Sequence, residues 1–125
     1  MKIHIKNGRL IDPASNTDKP LDLFIGAGRI VGVGSAPAGF EPNSVLDAAG
    51  CIVCPGLVDL AARLREPGFE YRATLESEMA AAAAGGVTSL ACPPDTDPVL
   101  DEPGLVEMLT HRARLPEFAH VHPVG

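Results

Sequence analysis

The sequence PGLVDLAARLREPG, residues 55–68, decides the fold because the chain changes its pattern there. Its first four residues are the end of the apolar run CIVCPGLV, residues 51–58, and this run predicts a buried strand. The run then leads into the polar turn LREPG, residues 64–68, and a strand that ends in such a loop is typical of an active-site rim. Yet the positions between strand and turn, where a rim would carry its chemistry, hold Ala61 and Arg63.

Residues 1–55 predict a small unit of β-strands. Residues 2–6 alternate apolar and polar side chains, and Asn7-Gly8 after them is a hairpin turn signal. The stretch LDLFIGAGRIVGVGS, residues 21–35, predicts two strands joined by a turn at GAGR. Its glycines would suit a nucleotide loop only if a helix followed them, and another strand-like stretch follows, so a hairpin is favoured.

Residues 56–125 predict alternating strands and helices in a parallel β/α arrangement. The predicted strands are 57–60, 87–92 and 119–125, and the predicted helices are 74–84 and 101–115. Thr74 is a suitable N-cap for the first helix, and Gly85-Gly86 ends it. Because a closed (β/α)8 barrel takes about 250 residues, these elements predict either a small open domain or the N-terminal part of a larger fold.

Charge and composition exclude two classes of partner. The formal net charge is −6, the pI is about 5.0, and there is no Trp. Nucleic-acid binding favours a basic surface and aromatic platforms, so we expect no nucleic-acid partner. No apolar run reaches the roughly 18 residues of a membrane span, and the N-terminus lacks a signal-peptide core. We therefore expect a cytoplasmic protein without a membrane partner.

The three cysteines, Cys51, Cys54 and Cys92, are too few for a disulfide framework. Cys51 and Cys54 have the C-x-x-C spacing found in metal and redox sites. An offset of three along a strand places the two thiols on opposite faces. Small core residues are therefore the favoured interpretation.

Residues 55–68 resemble the dihydroorotases of the amidohydrolase superfamily, which read Pro-Gly-Leu-Val-Asp-x-His-x-His-Leu-Arg-Glu-Pro-Gly there. The resemblance continues through TLESEMAAAAAGGVTSLACPPDTDPVLDEP, residues 74–103. It implies an α/β fold: residues 56–125 as the first β/α units of an incomplete (β/α)8 metal-dependent-hydrolase barrel, preceded by a small β-sandwich segment in residues 1–55. The match corresponds to about the first third of such a protein, so the family's later site residues fall beyond Gly125.

The resemblance also shows what is missing, because the family's two histidines fall at Ala61 and Arg63. Residues two apart on a strand share a face, so two imidazoles there can hold one ion. Alanine has no donor atom, and arginine is a fixed cation without a lone pair. A guanidinium about 4 Å from a divalent ion costs about 8 kcal/mol at an effective dielectric of 20. We therefore expect no metal cofactor, although the charge of Arg63 is a possible electrostatic substitute for one.

The resemblance assigns three further positions to a vestigial substrate pocket: Arg65, Asp95 and Thr96. Arg65 matches the family's carboxylate-binding arginine, and its alternative is a salt bridge with Asp59 or Glu66. Asp95 stands where the family has an asparagine, and an ionised Asp repels a carboxylate instead of donating to it. We treat this defect as independent of the lost histidine pair.

His120 and His122 also have metal-ligand spacing on a predicted strand. They align with a family strand that carries no ligand, and no carboxylate or third histidine lies near them in sequence. Solvated or hydrogen-bonded histidines at a strand end are favoured, and His4 and His111 are expected at the surface.

Within the family the resemblance is closest to the non-catalytic chains that accompany bacterial aspartate carbamoyltransferase. It implies an inactive, structural subunit, assembled with the catalytic chain of that enzyme in a hetero-oligomer for de novo pyrimidine biosynthesis. One alternative is an active dihydroorotase or related cyclic amidohydrolase with a rearranged metal site. Another is a small-molecule sensor that uses Arg65 as an anion anchor. These 125 residues alone are expected to fold poorly, because a third of a barrel exposes apolar strand faces.

Overall fold

The computed structural model describes residues 1–115 and 118–124. The chain divides into two compact units, Met1–Pro55 and the part from Gly56 onward. In the described part of the chain, neither α-helix combines the length and the apolar character that a membrane crossing requires.

The first unit consists of two β-sheets. Its strands are β1 (Lys2–Lys6), β2 (Arg9–Asp12), β3 (Thr17–Pro20), β4 (Leu23–Gly26), β5 (Arg29–Val33), β6 (Ser44–Asp47) and β7 (Ile52–Val53). One sheet has the order β5-β4-β1-β6, and the other has the order β3-β2-β7. The predicted β unit is therefore confirmed.

The glycine-rich stretch forms the predicted hairpin, with β4 and β5 antiparallel. Ala27 and Gly28 between them have φ values of 51° and 73°. Two positive φ angles in a two-residue loop match the twist of the flanking strands. A strand follows the glycines, so the hairpin interpretation is confirmed over the nucleotide loop.

The predicted hairpin at Asn7-Gly8 is wrong, because β1 and β2 belong to different sheets. Asn7 makes the turn with φ of 64°, and its Nδ2 donates to Asp47 Oδ1 at 3.0 Å. Gly8 passes so close to Val53 that a Cβ would lie 2.5 Å from its Cγ2. The pair is therefore a tight crossover between sheets.

The buried side chains of the first unit are Leu10, Leu23 and Phe24. His4 stacks on Phe24 with ring centroids 4.5 Å apart, and its Nε2 lies 2.8 Å from Asp22 Oδ2. The expectation that His4 lies on the surface is wrong, because its side chain is only 22% exposed. The stack and the hydrogen bond with Asp22 place the ring against the sheet.

Cys51 and Cys54 are exposed, and the strand between them is only two residues long. The expectation that they are core residues is therefore wrong for this pair. Cys92 is buried and does belong to the core.

The second unit has a parallel three-stranded sheet and two helices. Its elements are β8 (Leu57–Asp59), α1 (Leu75–Ala84), β9 (Val87–Cys92), α2 (Pro103–Arg114) and β10 (His120–Pro123). The sheet order is β10-β9-β8, and both pairings are parallel. The predicted parallel β/α arrangement is confirmed.

The two helices begin where their capping residues allow. Thr74 Oγ1 accepts from the Ser77 N–H, and Ser77 Oγ accepts from the Thr74 N–H, which completes a capping box. Helix α2 begins at Pro103 and ends at Arg114, so it is shorter than the predicted 101–115. Proline is favoured at the first helical position because its missing N–H is not needed there.

The core of the second unit lies between the helices and β9. Its buried residues are Leu64, Leu75, Met79, Leu90, Cys92, Leu100, Leu109 and Ala113. Strand β8 contributes none of them, since Leu57 and Val58 are 57% and 62% exposed. Among the described residues β8 lies at the edge of the sheet, so its apolar side chains are exposed in this part of the fold, as expected for a third of a barrel.

Candidate functional site

The candidate site lies at one edge of the parallel sheet, where the strands end at their carboxyl termini. Residues 60–74, here the β8 loop, follow β8, and residues 93–102, here the β9 loop, follow β9. Because the strands are parallel neighbours, both loops leave the sheet at the same edge, where α/β proteins place ligand sites.

Ala61 is exposed at the start of the β8 loop. Its N–H is bonded to Asp59 Oδ1 at 2.9 Å, and the next N–H, of Ala62, donates to Ala91 O at 3.0 Å. The backbone is therefore held against β9. The methyl side chain offers nothing to a ligand, and the carboxylate of Asp59 is already engaged in the turn.

Arg63 and Asp95 form an ion pair across the two loops. Arg63 Nε donates to Asp95 Oδ2 at 2.5 Å, and the side chains are 53% and 44% exposed. Two of the three positions that depart from the family pattern, Arg63 and Asp95, therefore contact each other, so the change at Asp95 is not independent of the change at position 63. The charge of Arg63 is balanced by Asp95 and does not face an open pocket alone.

Backbone contacts join the same loops near Gly68. Asp97 N–H donates to Pro67 O at 3.1 Å. Gly68 has φ of 99°, and a Cβ there would collide with the carbonyl of Asp97. Thr96 is buried, and its Oγ1 donates to Pro98 O at 2.9 Å, so its hydroxyl is used within its own loop.

Arg65 lies between two buried residues, Leu64 and Glu66. Its φ of 68° is a left-handed conformation that costs a residue with a side chain free energy. Its carbonyl accepts from the Phe69 N–H at 2.9 Å, which holds that conformation. Among residues 1–115 and 118–124 it has no ion pair with Asp59 or Glu66, so the alternative of a salt bridge to either is not realised there.

Glu66 is a buried carboxylate that the sequence analysis did not assign. Only 3% of the residue is exposed, and its Oε1 accepts from the Leu75 N–H at 2.9 Å. Arg112 Nη2 lies 2.6 Å from Oε2, so the guanidinium is the counter-charge of this carboxylate. Glu66 thereby links the start of α1 to the last turn of α2.

Cys92 at the end of β9 is not an activated thiol. Burial raises the pKa of its thiol, and Asp95 raises it further, while a hydrogen bond from the backbone of Leu64 acts in the opposite direction. Nucleophilic cysteines have a lowered pKa. The thiol of Cys92 therefore belongs to the core and is not a nucleophile.

His120 and His122 are exposed on β10, opposite Ser89 and Ala91 of β9. In the described ranges, no three His, Cys, Asp or Glu side chains come together as a metal site would require. The favoured interpretation of the two histidines as exposed strand residues agrees with this placement. His111 on α2 is exposed as expected.

The described residues do not fit a divalent ion at the family's histidine positions. Ala61 has no donor, and Arg63 brings a positive charge that is already paired. A catalytic zinc generally has about three protein ligands. At these two positions the chain supplies none of them.

Comparison with known proteins identifies related sequences. The model of the dihydro-orotase-like family matches residues 50–124. A dihydroorotase-like protein of Pseudomonas aeruginosa is 54% identical over 125 residues, which covers all of this chain and 30% of that protein. A dihydroorotase of Solibacter usitatus is 50% identical over 126 residues and is covered to 29%. The chain thus spans about 30% of the length of these relatives.

Solved structures show the same fold. The L-hydantoinase (dihydropyrimidinase) from Arthrobacter aurescens matches with a TM-score of 0.85 at 22% identity, over 98% of this chain and 27% of that chain. A D-hydantoinase matches with a TM-score of 0.70 at 30% identity, over 98% and 26%. The chain has the fold of the N-terminal part of a (β/α)8 barrel protein, as predicted.

Proposed function

This chain belongs to the dihydro-orotase-like family, and we propose that it is part of a catalytically inactive, cytoplasmic dihydroorotase-like subunit. Its role is structural: the subunit assembles with the catalytic chain of aspartate carbamoyltransferase in de novo pyrimidine biosynthesis. The proposal concerns the whole protein. The chain itself aligns with about 30% of the length of its relatives.

The observation that carries the proposal is the ion pair of Arg63 with Asp95. A divalent ion about 4 Å from an unpaired guanidinium would face a repulsion of about 8 kcal/mol at an effective dielectric of about 20, and Asp95 offsets part of this repulsion here. The loss of both histidine donors adds to this penalty. Metal-dependent ring chemistry is therefore disfavoured at this site.

The partner follows from the resemblance and not from the geometry. A subunit that retains the family fold without the histidine pair can still serve a structural role. High identity to a relative that is called dihydroorotase-like supports that kind of protein. We therefore assign the retained fold to assembly with aspartate carbamoyltransferase.

One observation favours the competing function of an active cyclic amidohydrolase. The relative from Solibacter usitatus, at 50% identity, is called a dihydroorotase. An active protein would need metal ligands other than residues 61 and 63. This alternative predicts stoichiometric zinc and turnover in the complete protein.

The decisive experiment measures metal content and dihydroorotase activity, in both reaction directions, on the complete protein. The natural protein is compared with an Ala61→His/Arg63→His variant and with Arg29→His, an exposed control that also replaces an arginine by a histidine. We expect no bound zinc and no turnover in the natural protein and in the control. Stoichiometric zinc with turnover in the natural protein would establish the enzyme instead.

The partner is tested by mixing the complete protein with aspartate carbamoyltransferase and measuring the mass of the eluted species by light scattering. We expect one larger species that contains both chains. Separate elution across a range of concentrations would refute the assembly role. Saturable binding of dihydroorotate without turnover would instead favour a sensor that uses Arg65.

A further inference from the structure

The β8 and β9 loops are joined by one charged contact, between Arg63 and Asp95. We propose that this ion pair positions the acidic β9 loop against the end of β8. The proposal rests on the inactive function argued above, because it takes position 63 as a structural cation. It assigns Arg63 and Asp95 as positioning residues for this face of the sheet.

The charge of the β9 loop explains why a cation is needed there. Residues 93–102 read PPDTDPVLDE, with four acidic residues and no basic one. Four carboxylates within ten residues give this loop a concentrated negative charge. A fixed guanidinium from the neighbouring loop offsets part of this charge. Arg63 supplies it at 2.5 Å from Asp95.

The pair completes a set of contacts that span the two loops. The backbone bond from Asp97 N–H to Pro67 O and the close approach of Gly68 to Asp97 fix the distal part of the β9 loop. Arg63 reaches Asp95, which lies nearer to the strand. The loop is thus held at two places, one by backbone atoms and one by charge.

The exposure of both side chains sets the size of the effect. Arg63 and Asp95 are about half-exposed, and pairs of this kind contribute modestly and are weakened by salt. Loss of the pair should therefore speed local opening of the β9 loop about two- to fivefold, with little effect on global melting. The readout has to be local and has to be taken at two salt concentrations.

The test is hydrogen exchange of the peptide that covers residues 93–100, measured by mass spectrometry on the complete protein. Arg63→Lys keeps the charge, Arg63→Gln removes it, and Arg63→Glu reverses it. Arg9→Gln is the matched control, because Arg9 pairs with Asp18 at 2.7 Å and similar exposure in the first unit.

We expect exchange near the natural rate for Arg63→Lys and about two- to fivefold faster exchange for Arg63→Gln. Arg63→Glu should be faster still, Arg9→Gln should match the natural protein, and the differences should shrink at 1 M salt. In an Asp95→Asn background, removing the charge of Arg63 should change the rate less. Equal rates for Arg63→Lys, Arg63→Gln and Arg63→Glu would overturn the proposal.

Metal content and activity are measured on the same samples. Zinc and turnover in the natural protein would overturn the inactive function whatever the exchange rates show. If the protein is metal-free and inactive but the exchange rate of residues 93–100 does not depend on the charge at position 63, only the positioning role would be overturned. If Arg63→Glu fails to fold, the Lys and Gln variants still decide the proposal.

Discussion

Removal of Arg112 should destabilise the second unit although the side chain is half-exposed. Arg112 is the cation beside the buried carboxylate of Glu66, with Nη2 and Oε2 2.6 Å apart. In Arg112→Ala this carboxylate keeps only the Leu75 N–H as a partner. It must then stay buried without a counter-charge or move to solvent and release the start of α1.

The magnitude follows from the burial of the two partners. Removing one partner of a fully buried pair costs about 3–5 kcal/mol. The Arg112 side chain is 48% exposed and that of Glu66 is 4% exposed, so water screens one end of the pair. We expect about 2 kcal/mol for Arg112→Ala. Glu66→Gln removes the charge but retains an acceptor for Leu75, and we expect about 1 kcal/mol.

The assay is native-state hydrogen exchange of the Leu75 amide in the complete protein. A loss of 2 kcal/mol corresponds to exchange about 30-fold faster at this amide. Arg114→Ala, an exposed arginine on the same helix, is the control and should leave the rate unchanged. Adding Arg112→Ala to Glu66→Gln should have little further effect. A rate within about twofold of the natural protein for Arg112→Ala alone would refute the reasoning.

Three further predictions test the turns, the caps and the core. Gly68→Ala should lower the free energy of unfolding by more than about 2 kcal/mol, because the new Cβ would collide with Asp97 and the residue has a positive φ. Gly28→Ala should cost only about 1 kcal/mol, because its φ is also positive but the space around it is open. Urea unfolding measures the difference between the two variants. Thr74→Ala should cost about 1 kcal/mol through loss of the N-cap, while Thr74→Ser should retain most of it in the same assay. Because the pKa of the Cys92 thiol is raised, the folded protein holds this proton more tightly than the unfolded chain does. The protonated thiol therefore contributes its full stabilisation below pH 9.0, and this stabilisation is lost as the pH rises. The thermal midpoint should therefore fall more between pH 8 and 10 in the natural protein than in Cys92→Ala, and equal falls would contradict this account.

The elements of the second unit were predictable because their signals are local. A capping threonine, an alanine-rich run and two glycines define α1 within a few residues of sequence. Both boundaries of α2 were predicted to within two residues, since the helix begins at Pro103 instead of residue 101 and ends at Arg114 instead of residue 115. The hairpin at Asn7-Gly8 failed for a different reason: strand pairing is a long-range choice, and β1 pairs with β4 and β6 instead of β2.

Burial was predicted less well than secondary structure. The run through Leu57 and Val58 is apolar, but apolar character shows only that a strand can be buried. Whether it is buried depends on neighbours, and β8 has a partner on one side only among the described residues. Cys51 and Cys54 fail in the same way, since they flank a strand of two residues at the end of its sheet order.

The candidate site was predictable where a single residue decides the chemistry. Neither an alanine nor an arginine side chain can ligate a metal, wherever the chain places it. The contacts of Arg63 with Asp95 and of Glu66 with Arg112 were not predictable in this way, because they join residues far apart in sequence. The only available signal was the opposite sign of the charges at positions 63 and 95.

This charge relation changes what restoration of a metal site would require. A histidine at position 63 removes the cation that balances Asp95, in a loop that already carries three other acidic residues. A neutral residue at position 95 alone leaves Arg63 without its anion. In the metal-free protein each single change therefore leaves an uncompensated charge at the same edge of the sheet, whereas a bound divalent ion would itself offset the charge of Asp95. Arg63 and Asp95 are therefore best understood as one coupled alteration of the site, to which the loss of a donor atom at Ala61 is added.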